Sequence, residues 1–380
     1  MSYSPARDLE SNGMEYYNNK PRKYCRGWNK SFLICVTLLV VCVCFILFKS
    51  FTPAGVNLFR MANVDDDIDD TPADAKSFKL MIIADLDKKS RDPQDKKGKW
   101  NSILKRGELR RKDDGTFTIH WLEDQVISTA HNEAGRGMEL SSLRSFNGKL
   151  YAMDDRTGIV FELVKGPRSI PRYILIEGDG NYDKGQKSEW STVKDGLLYV
   201  GSFGKEYTNP DGSIKNTNNM WVSTIDKEGR VNHIDWTKYY NKMREAAGTP
   251  YPGYMIHEAI NWSRYHKKWF ILPRRVSAEA YNENTDERMG SNKLIMCTEF
   301  FESCEVREVT PKTPTRGFSS FSFLPGSKDE IIVALKSEEN EEAGTQNTYI
   351  TVFTIDGKVL LPETEIEGGR KYEGIEFFAF

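Results

Sequence analysis

From Phe78 onward, short apolar runs open on a turn-forming Gly, Asn, Asp or Lys and close on charged residues. Five stand out: FKLMIIADLD (78–87), NGKLYAMDDRTG (147–158), DGLLYVGSFGKE (195–206), HKKWFILPRR (266–275) and KDEIIVALKSEE (328–339). Each has the length and the aliphatic or aromatic content of a strand, and long helical periodicities are scarce. Their centres, near Ile83, Met153, Gly201, Leu272 and Ala334, are 70, 48, 71 and 62 residues apart. That spacing is too uneven for identical repeats, but it sits near the ~50 residues of a four-stranded blade with loop insertions. The pattern predicts an all-β domain built as a five-bladed β-propeller. A β-sandwich is the competitor, yet one sandwich rarely needs so long a chain. One helix is expected as an insertion, over 236–247.

A different pattern precedes the domain. Residues 32–48 form a 17-residue run in which only Thr37 is polar. This is long for a signal-peptide core, some thirty polar residues precede it, and no A-x-A cleavage site follows, so it reads as a transmembrane signal-anchor. Lys20, Arg22, Lys23, Arg26 and Lys30 precede the run and only Lys49 and Arg60 follow closely. The positive-inside rule therefore makes 1–31 a cytosolic tail and the chain a single-pass type II membrane protein. At ~1.5 Å per residue the span covers roughly 26 Å, which suits the thin bilayers of the endoplasmic reticulum or Golgi. Residues 49–77, with Pro53, Pro72 and Asp65, Asp66, Asp67, Asp69 and Asp70, read as an acidic stalk, and 78–380 as the lumenal propeller. Cys35, Cys42 and Cys44 fall in the span and Cys25 on its cytosolic side, where it is a candidate for palmitoylation. Cys297 and Cys304 flank an expected hairpin in an oxidising compartment, where a local disulfide is expected. Asn261-Trp262-Ser263 is the glycosylation sequon of the lumenal part.

Charge narrows the function classes. With 53 basic and 55 acidic residues the net charge is −2, so no global field argues for a nucleic-acid partner. No Walker loop or G-x-S-x-G elbow is present, and His120, His131, His233, His257 and His266 lack zinc-ligand spacing. His257, beside Glu258, is either a proton shuttle or a packed histidine, with packing the simpler expectation. EGDGNYDKGQKSEW resembles an EF-hand loop, but its glycine falls at position seven and Trp190 stands where the bidentate glutamate belongs. Elsewhere, lone acids and hydroxyls sit beside aromatic or glycine residues: Glu139, Ser141, Glu189, Glu258, Ser319 and Glu373. A hard cation such as calcium collects six to eight such oxygens. For any one of them, a satisfied structural hydrogen bond is the plainer alternative.

The motifs ADLD (84–87), GRGMELS (135–141), FNGKLYAMDDRTG (146–158), KSEW (187–190), GYMIHEA (253–259), WFILPRR (269–275), RGFSSF (316–321), IIVALKSEE (331–339) and LLPETEIEGGRKYEGIEF (360–377), in this order, closely resemble the calcium-activated nucleotidase family of apyrases. The resemblance spans roughly 78–380 and implies a five-bladed propeller with calcium (Ca2+) in its central tunnel. Carried over by position, it implies calcium ligands at Ser141, Glu189, Glu258, Ser319 and Glu373. It also implies that Asp85 and Asp87 position or activate water, and that Arg274 holds phosphate, with Asp154, Asp155 and Arg156 at another tunnel-facing turn. Relatives often carry Asp after the ELS serine, where this chain has Ser142, which implies one carboxylate fewer near calcium and a weaker hold on it. The implied activity is hydrolysis of nucleoside diphosphates, UDP and GDP above all, to monophosphate and phosphate in the secretory lumen, in support of glycosylation. Calcium-linked homodimerisation is implied as well. The alternatives are a secreted or cell-surface ATP/ADP apyrase and a non-catalytic calcium-binding propeller. Base contacts are expected from the loops 207–220 or 278–292.

Overall fold

Five antiparallel sheets of four strands follow one another around a ring in a computed structural model that describes residues 71–166, 168–209, 213–340 and 344–378. Blade 1 has its innermost strand at Lys371–Glu376, followed by Ser77–Asp85 and two outer strands. The innermost and second strands are Leu140–Phe146 and Lys149–Asp154 in blade 2, and Trp190–Lys194 and Leu197–Gly201 in blade 3. They are Ile260–Ser263 and Lys268–Ile271 in blade 4, and Arg316–Phe323 and Ile331–Asn340 in blade 5. Each innermost strand contacts those of the two neighbouring blades, so the strands enclose a central tunnel. The fold is the five-bladed propeller expected from the sequence.

The five apolar runs are the second strands of the five blades. A second strand is covered on both faces by neighbouring blades, so it reads as a continuous apolar run, whereas the outer strand Phe117–Thr129 of blade 1 alternates and is largely exposed. The core is correspondingly five separate layers, one in each gap between blades. Ile82, Ala84, Val333 and Leu335 meet between blades 1 and 5, and Ile83, Leu143 and Phe161 between 1 and 2. Met153, Leu198 and Val200 join blades 2 and 3; Trp190, Val222 and Trp269 join 3 and 4; Phe270, Phe318 and Ile332 join 4 and 5. Each such fully buried Val, Leu, Ile, Phe or Met side chain contributes roughly 1.5–3 kcal/mol of transfer free energy.

Three features depart from the plain blade pattern. The inserted helix runs Thr237–Ala247, one residue shorter than expected because Trp236 serves as its N-cap, and it ends on Gly248 at φ +76°. Cys297 and Cys304 face each other across the outer hairpin of blade 4 and form the disulfide. Residues 71–76, assigned to the stalk on composition, already belong to the domain: Ala75 donates to the Pro72 carbonyl, and the Arg111 guanidinium donates to Ala73. The 32–48 run and the acidic residues 65–70 lie outside the described residues, among which no helix is long and apolar enough to cross a membrane.

At the end of the tunnel where the innermost strands finish, Arg144 of blade 2 ties the ring together. It pairs with Glu376 of blade 1 at 3.0 Å, donates to the Ser191 carbonyl of blade 3 at 3.2 Å, and donates to Asn261 Oδ1 of blade 4 at 2.7 Å. Asn261 Nδ2 in turn donates to the Phe321 carbonyl of blade 5 at 2.7 Å. The sequon amide is thus buried and bonded at both its oxygen and its nitrogen, contacts that a glycan on Nδ2 would disturb. Mass spectrometry of the protein produced in a eukaryotic secretory host is therefore expected to find Asn261 unmodified in the folded fraction; a glycan there on active protein would contradict this packing.

Candidate functional site

Chemistry-bearing side chains gather where the innermost strands begin. In an antiparallel hairpin that end also receives the finish of the second strand, so each blade delivers two sets of residues to one mouth of the tunnel. The first set is Glu373, Ser141, Glu189, Glu258 and Ser319, one from the innermost strand of each of blades 1 to 5 or from the two residues before it. The second set follows the apolar runs: Asp85 and Asp87 from blade 1, Asp154 and Asp155 from blade 2, Lys205 from blade 3, Arg274 from blade 4 and Glu339 from blade 5.

Three members of the first set sit at β-bulges. Pairing passes from Leu140–Asp154 to Ser142–Met153 and skips Ser141, and from Phe318–Lys336 to Ser320–Leu335 and skips Ser319. Between the first and last strands it passes from Ile83–Gly374 to Ala84–Tyr372 and skips Glu373. A bulge inserts one unpaired residue and re-aims its side chain, and here all three bulged side chains are buried. Ser141 Oγ donates to Glu373 Oε2 at 3.0 Å, and Ser319 Oγ to the Tyr372 carbonyl at 2.9 Å.

Eight carboxyls and the four cations that pair with them share this mouth, with Lys205 a fifth cation on the cleft wall. Lys371 Nζ lies 2.6 Å from Asp85, 3.3 Å from Asp87, 3.4 Å from Glu373 and 3.7 Å from Glu339. Arg274 pairs with Glu258 at 2.5 Å, with Glu373 at 2.9 Å and with Glu339. Lys187 bridges Asp155 at 2.5 Å and Glu189 at 2.6 Å, while Arg136 holds Glu139 at 2.8 Å and approaches Asp87 at 3.8 Å. Burial pushes Asp85 and Glu373 well above the usual carboxylate range, with Lys371 acting against it in both. Burial raises Glu189 to about 7, although Lys187 opposes the shift. Glu339 goes the other way: against its burial, Arg274 and Lys371 hold it at about 2.

The structure separates the expected site residues by what they touch. Asp87 is partly exposed, adopts φ +48°, and donates its N–H to Asp85 Oδ1 at 2.7 Å. Asp85 is buried, so of the two only Asp87 reaches the open mouth. Asp154 does not face the tunnel contents. Its oxygens accept the N–H groups of Met138, Arg156 and Thr157 at 2.8, 2.9 and 3.2 Å, and burial beside Asp155 raises it to about 6. It fixes the turn on which Asp155 stands. Arg156 points to the rim and pairs with Glu133 at 3.2 Å. His257 is packed rather than shuttling protons: it is fully buried against Tyr240, and burial with Arg244 nearby holds it neutral, at about 3. Sequence reasoning missed Lys187, Lys371 and Glu339. Each lysine lies two residues before an acid of the first set, but Lys187 precedes its strand and the bulge at Glu373 breaks the alternation, so the spacing carried no face signal.

The donor set fits a hard cation. If all ionised, eight carboxyls exceed five cations by three charges, and among the described residues Glu258 Oε2 is buried without a hydrogen-bond partner. Carboxylate and hydroxyl oxygens converging from all five blades are the ligand type calcium takes. Asp85, Asp87 and Glu139 also bring oxygens within 4.8 Å of one another, but Lys371 and Arg136 already supply positive charge there. A cleft of about 830 Å³ opens from Glu189, Glu258, Arg274 and Glu339 to a wall of Phe203, Lys205, Tyr207 and Tyr281. The cleft is wide enough for a small charged ligand with an aromatic part.

The apyrase family model matches residues 86–378. The soluble calcium-activated nucleotidase 1 of Mus musculus is 48% identical over 302 residues, which are 79% of this chain and 73% of that protein. An apyrase of Cimex lectularius is 44% identical over 304 residues, 79% and 82% of the two chains. Apyrase apy-1 of Caenorhabditis elegans is 42% identical over 325 residues, 84% and 88%.

Removing the central ammonium tests this account of the electrostatics. Lys371→Met leaves Asp85 and Glu373 buried without their strongest partner and is expected to lower unfolding free energy by about 3–5 kcal/mol at pH 7 in chelator. Carboxyls whose folded-state affinity for protons exceeds the unfolded one destabilise only as pH rises and they ionise. The deficit should therefore shrink at pH 5 when followed by urea unfolding, and an equal deficit at both values would contradict the assignment.

Proposed function

This chain belongs to the apyrase family, and from that premise we propose that it hydrolyses nucleoside diphosphates to monophosphate and phosphate with calcium as its cofactor. The observation that carries the reading is the set of five inward oxygen donors, one per blade, beside a cleft that also presents Arg274, Lys187 and Lys205. Ser141, Glu189, Glu258, Ser319 and Glu373 would hold the ion. Calcium, when bound, neutralises phosphate oxygens and polarises the P–O bond that breaks. A calcium-binding scaffold without catalysis would need the oxygen donors but not the basic groups next to them.

The remaining residues divide the work. Arg274 and Lys187, now paired with carboxylates that the ion would occupy, balance the phosphate charge, a guanidinium fork being well matched to phosphate oxygens. Asp87, at the open mouth, accepts a hydrogen bond from the attacking water and takes its proton, while Asp85 and Lys371 fix the position of Asp87. The positive charge before residues 32–48 and the length of that run support a type II anchor with the domain in the secretory lumen. There, removal of UDP and GDP left by glycosyl transfer would favour glycosylation.

Phosphate release from UDP, GDP, ADP and ATP, with calcium, with magnesium and with chelator, tests the reading. Turnover is expected with calcium alone, fastest on UDP or GDP, and Asp87→Asn is expected to lower kcat roughly 10²–10⁴-fold. A preference for ADP and ATP would favour an extracellular apyrase. Stabilisation by calcium with no turnover on any nucleotide would favour a binding module, and full activity in Asp87→Asn would remove that residue from the mechanism.

A further inference from the structure

The helix Thr237–Ala247 is inserted between blades 3 and 4, and its buried face is Tyr240, Met243 and Arg244. Tyr240 and Met243 join the apolar layer between those blades. Arg244 does not line the cleft, yet it is 1% exposed. Its guanidinium meets Glu206 through both arms, Nη1 to Oε1 at 2.8 Å and Nη2 to Oε2 at 2.9 Å, and Nη2 also donates to the Gly204 carbonyl at 3.2 Å. Gly204, at φ +74°, is pressed so close to the helix that a Cβ would stand 2.3 Å from the Tyr240 ring. The segment alternates. Phe203, Lys205 and Tyr207 line the cleft, and Glu206 turns back to the helix.

Lys205 is the feature that gives this arrangement a purpose. It is 7% exposed, its Nζ donates to the Glu206 carbonyl at 3.0 Å and lies 4.0 Å above the Tyr281 ring, and among the described residues it forms no ion pair with a carboxylate. The Glu206 and Asp286 carboxylates act on its charge without contacting it, and an ammonium with no carboxylate in direct contact suits an anionic ligand. Its placement depends on the backbone of 204–206, which Arg244 clamps from behind.

We propose that Arg244 is a positioning residue for substrate: through Glu206 and the Gly204 carbonyl it holds the 203–207 wall, and with it Lys205, in the shape that binds the nucleotide. The inference rests on the nucleotide-hydrolase reading above. A buried ion pair adds little net stability over an apolar pair of the same volume; what a two-armed guanidinium adds is a fixed geometry that a lysine cannot reproduce.

The test is Arg244→Lys, Glu206→Gln and the double variant, compared with the native protein in calcium for KM, kcat, melting temperature and the Kd of an α,β-methylene nucleoside diphosphate. Each single variant is expected to raise KM and Kd roughly ten- to a hundredfold, with kcat at saturation within about twofold of native. The double variant is expected to add little to either, since both substitutions release one clamp. Should Arg244→Lys fail to fold, Glu206→Gln leaves the helix and its arginine intact and decides alone. Unchanged KM and Kd, or a loss of kcat that merely follows the melting temperature, overturns the positioning role. A native protein that neither binds the analogue nor turns over nucleotide overturns the underlying reading and this inference with it.

Discussion

When Lys371–Glu376 pairs with Ser77–Asp85, it closes the ring of blades and assembles the charged centre in the same act. The pairing sets Lys371 against Asp85 at 2.6 Å and delivers Glu373 to Ser141 and Arg274. Neither partner strand is comfortable alone. Asp85 and Glu373 are buried acids that burial drives toward protonation, and Lys371 is a buried base kept charged by four carboxylates. Each makes the other tolerable, because burying one charge costs several kcal/mol unless its counter-charge is buried with it. The propeller seam and the site are one structural element.

The bulges explain how regular blades yield an irregular centre. An innermost strand that ran in perfect register would alternate its side chains between two neighbouring blades, with none directed along the tunnel mouth. Skipping Ser141, Ser319 and Glu373 breaks the alternation at the same level in three blades, and each skipped residue has its side chain freed for the mouth. Blades 3 and 4 reach the same level differently, by starting their innermost strands just after Glu189 and Glu258. At the far end, Arg144 bonds to blades 1, 3 and 4, so the tunnel is tied at both ends by charged groups.

What was legible in the chain follows from burial. All five apolar runs proved to be second strands, which neighbouring blades cover on both faces and which need few polar side chains of their own. Innermost strands such as Leu140–Phe146, with three serines and an arginine in seven residues, carry no such signal, and their place was visible only through the family resemblance. The disulfide and the inserted helix followed from spacing and periodicity. Asp154 was misjudged because an aspartate capping a turn and one facing a ligand look alike until the three N–H donors around the carboxyl are seen. Lys187 and Lys371 were overlooked because a lysine among polar neighbours reads as solvated surface; only the closed ring shows that each is enclosed by acids. The extra residue of a bulge has no sequence signature at all.

The seam also orders events in time. Glu373 and Lys371 lie nearly three hundred residues after the strand they complete, and every other blade can form its own hairpins before them. During synthesis the first blade waits with Ser77–Asp85 unpaired on its inner edge until residues 371–376 emerge. Through that interval Asp85 lacks its lysine and the mouth lacks one fifth of its oxygen donors. A partly made chain therefore has no finished centre to act with, and an unpaired edge that other strands can find. Completion of the last strand finishes the charged centre and pairs that edge in the same step.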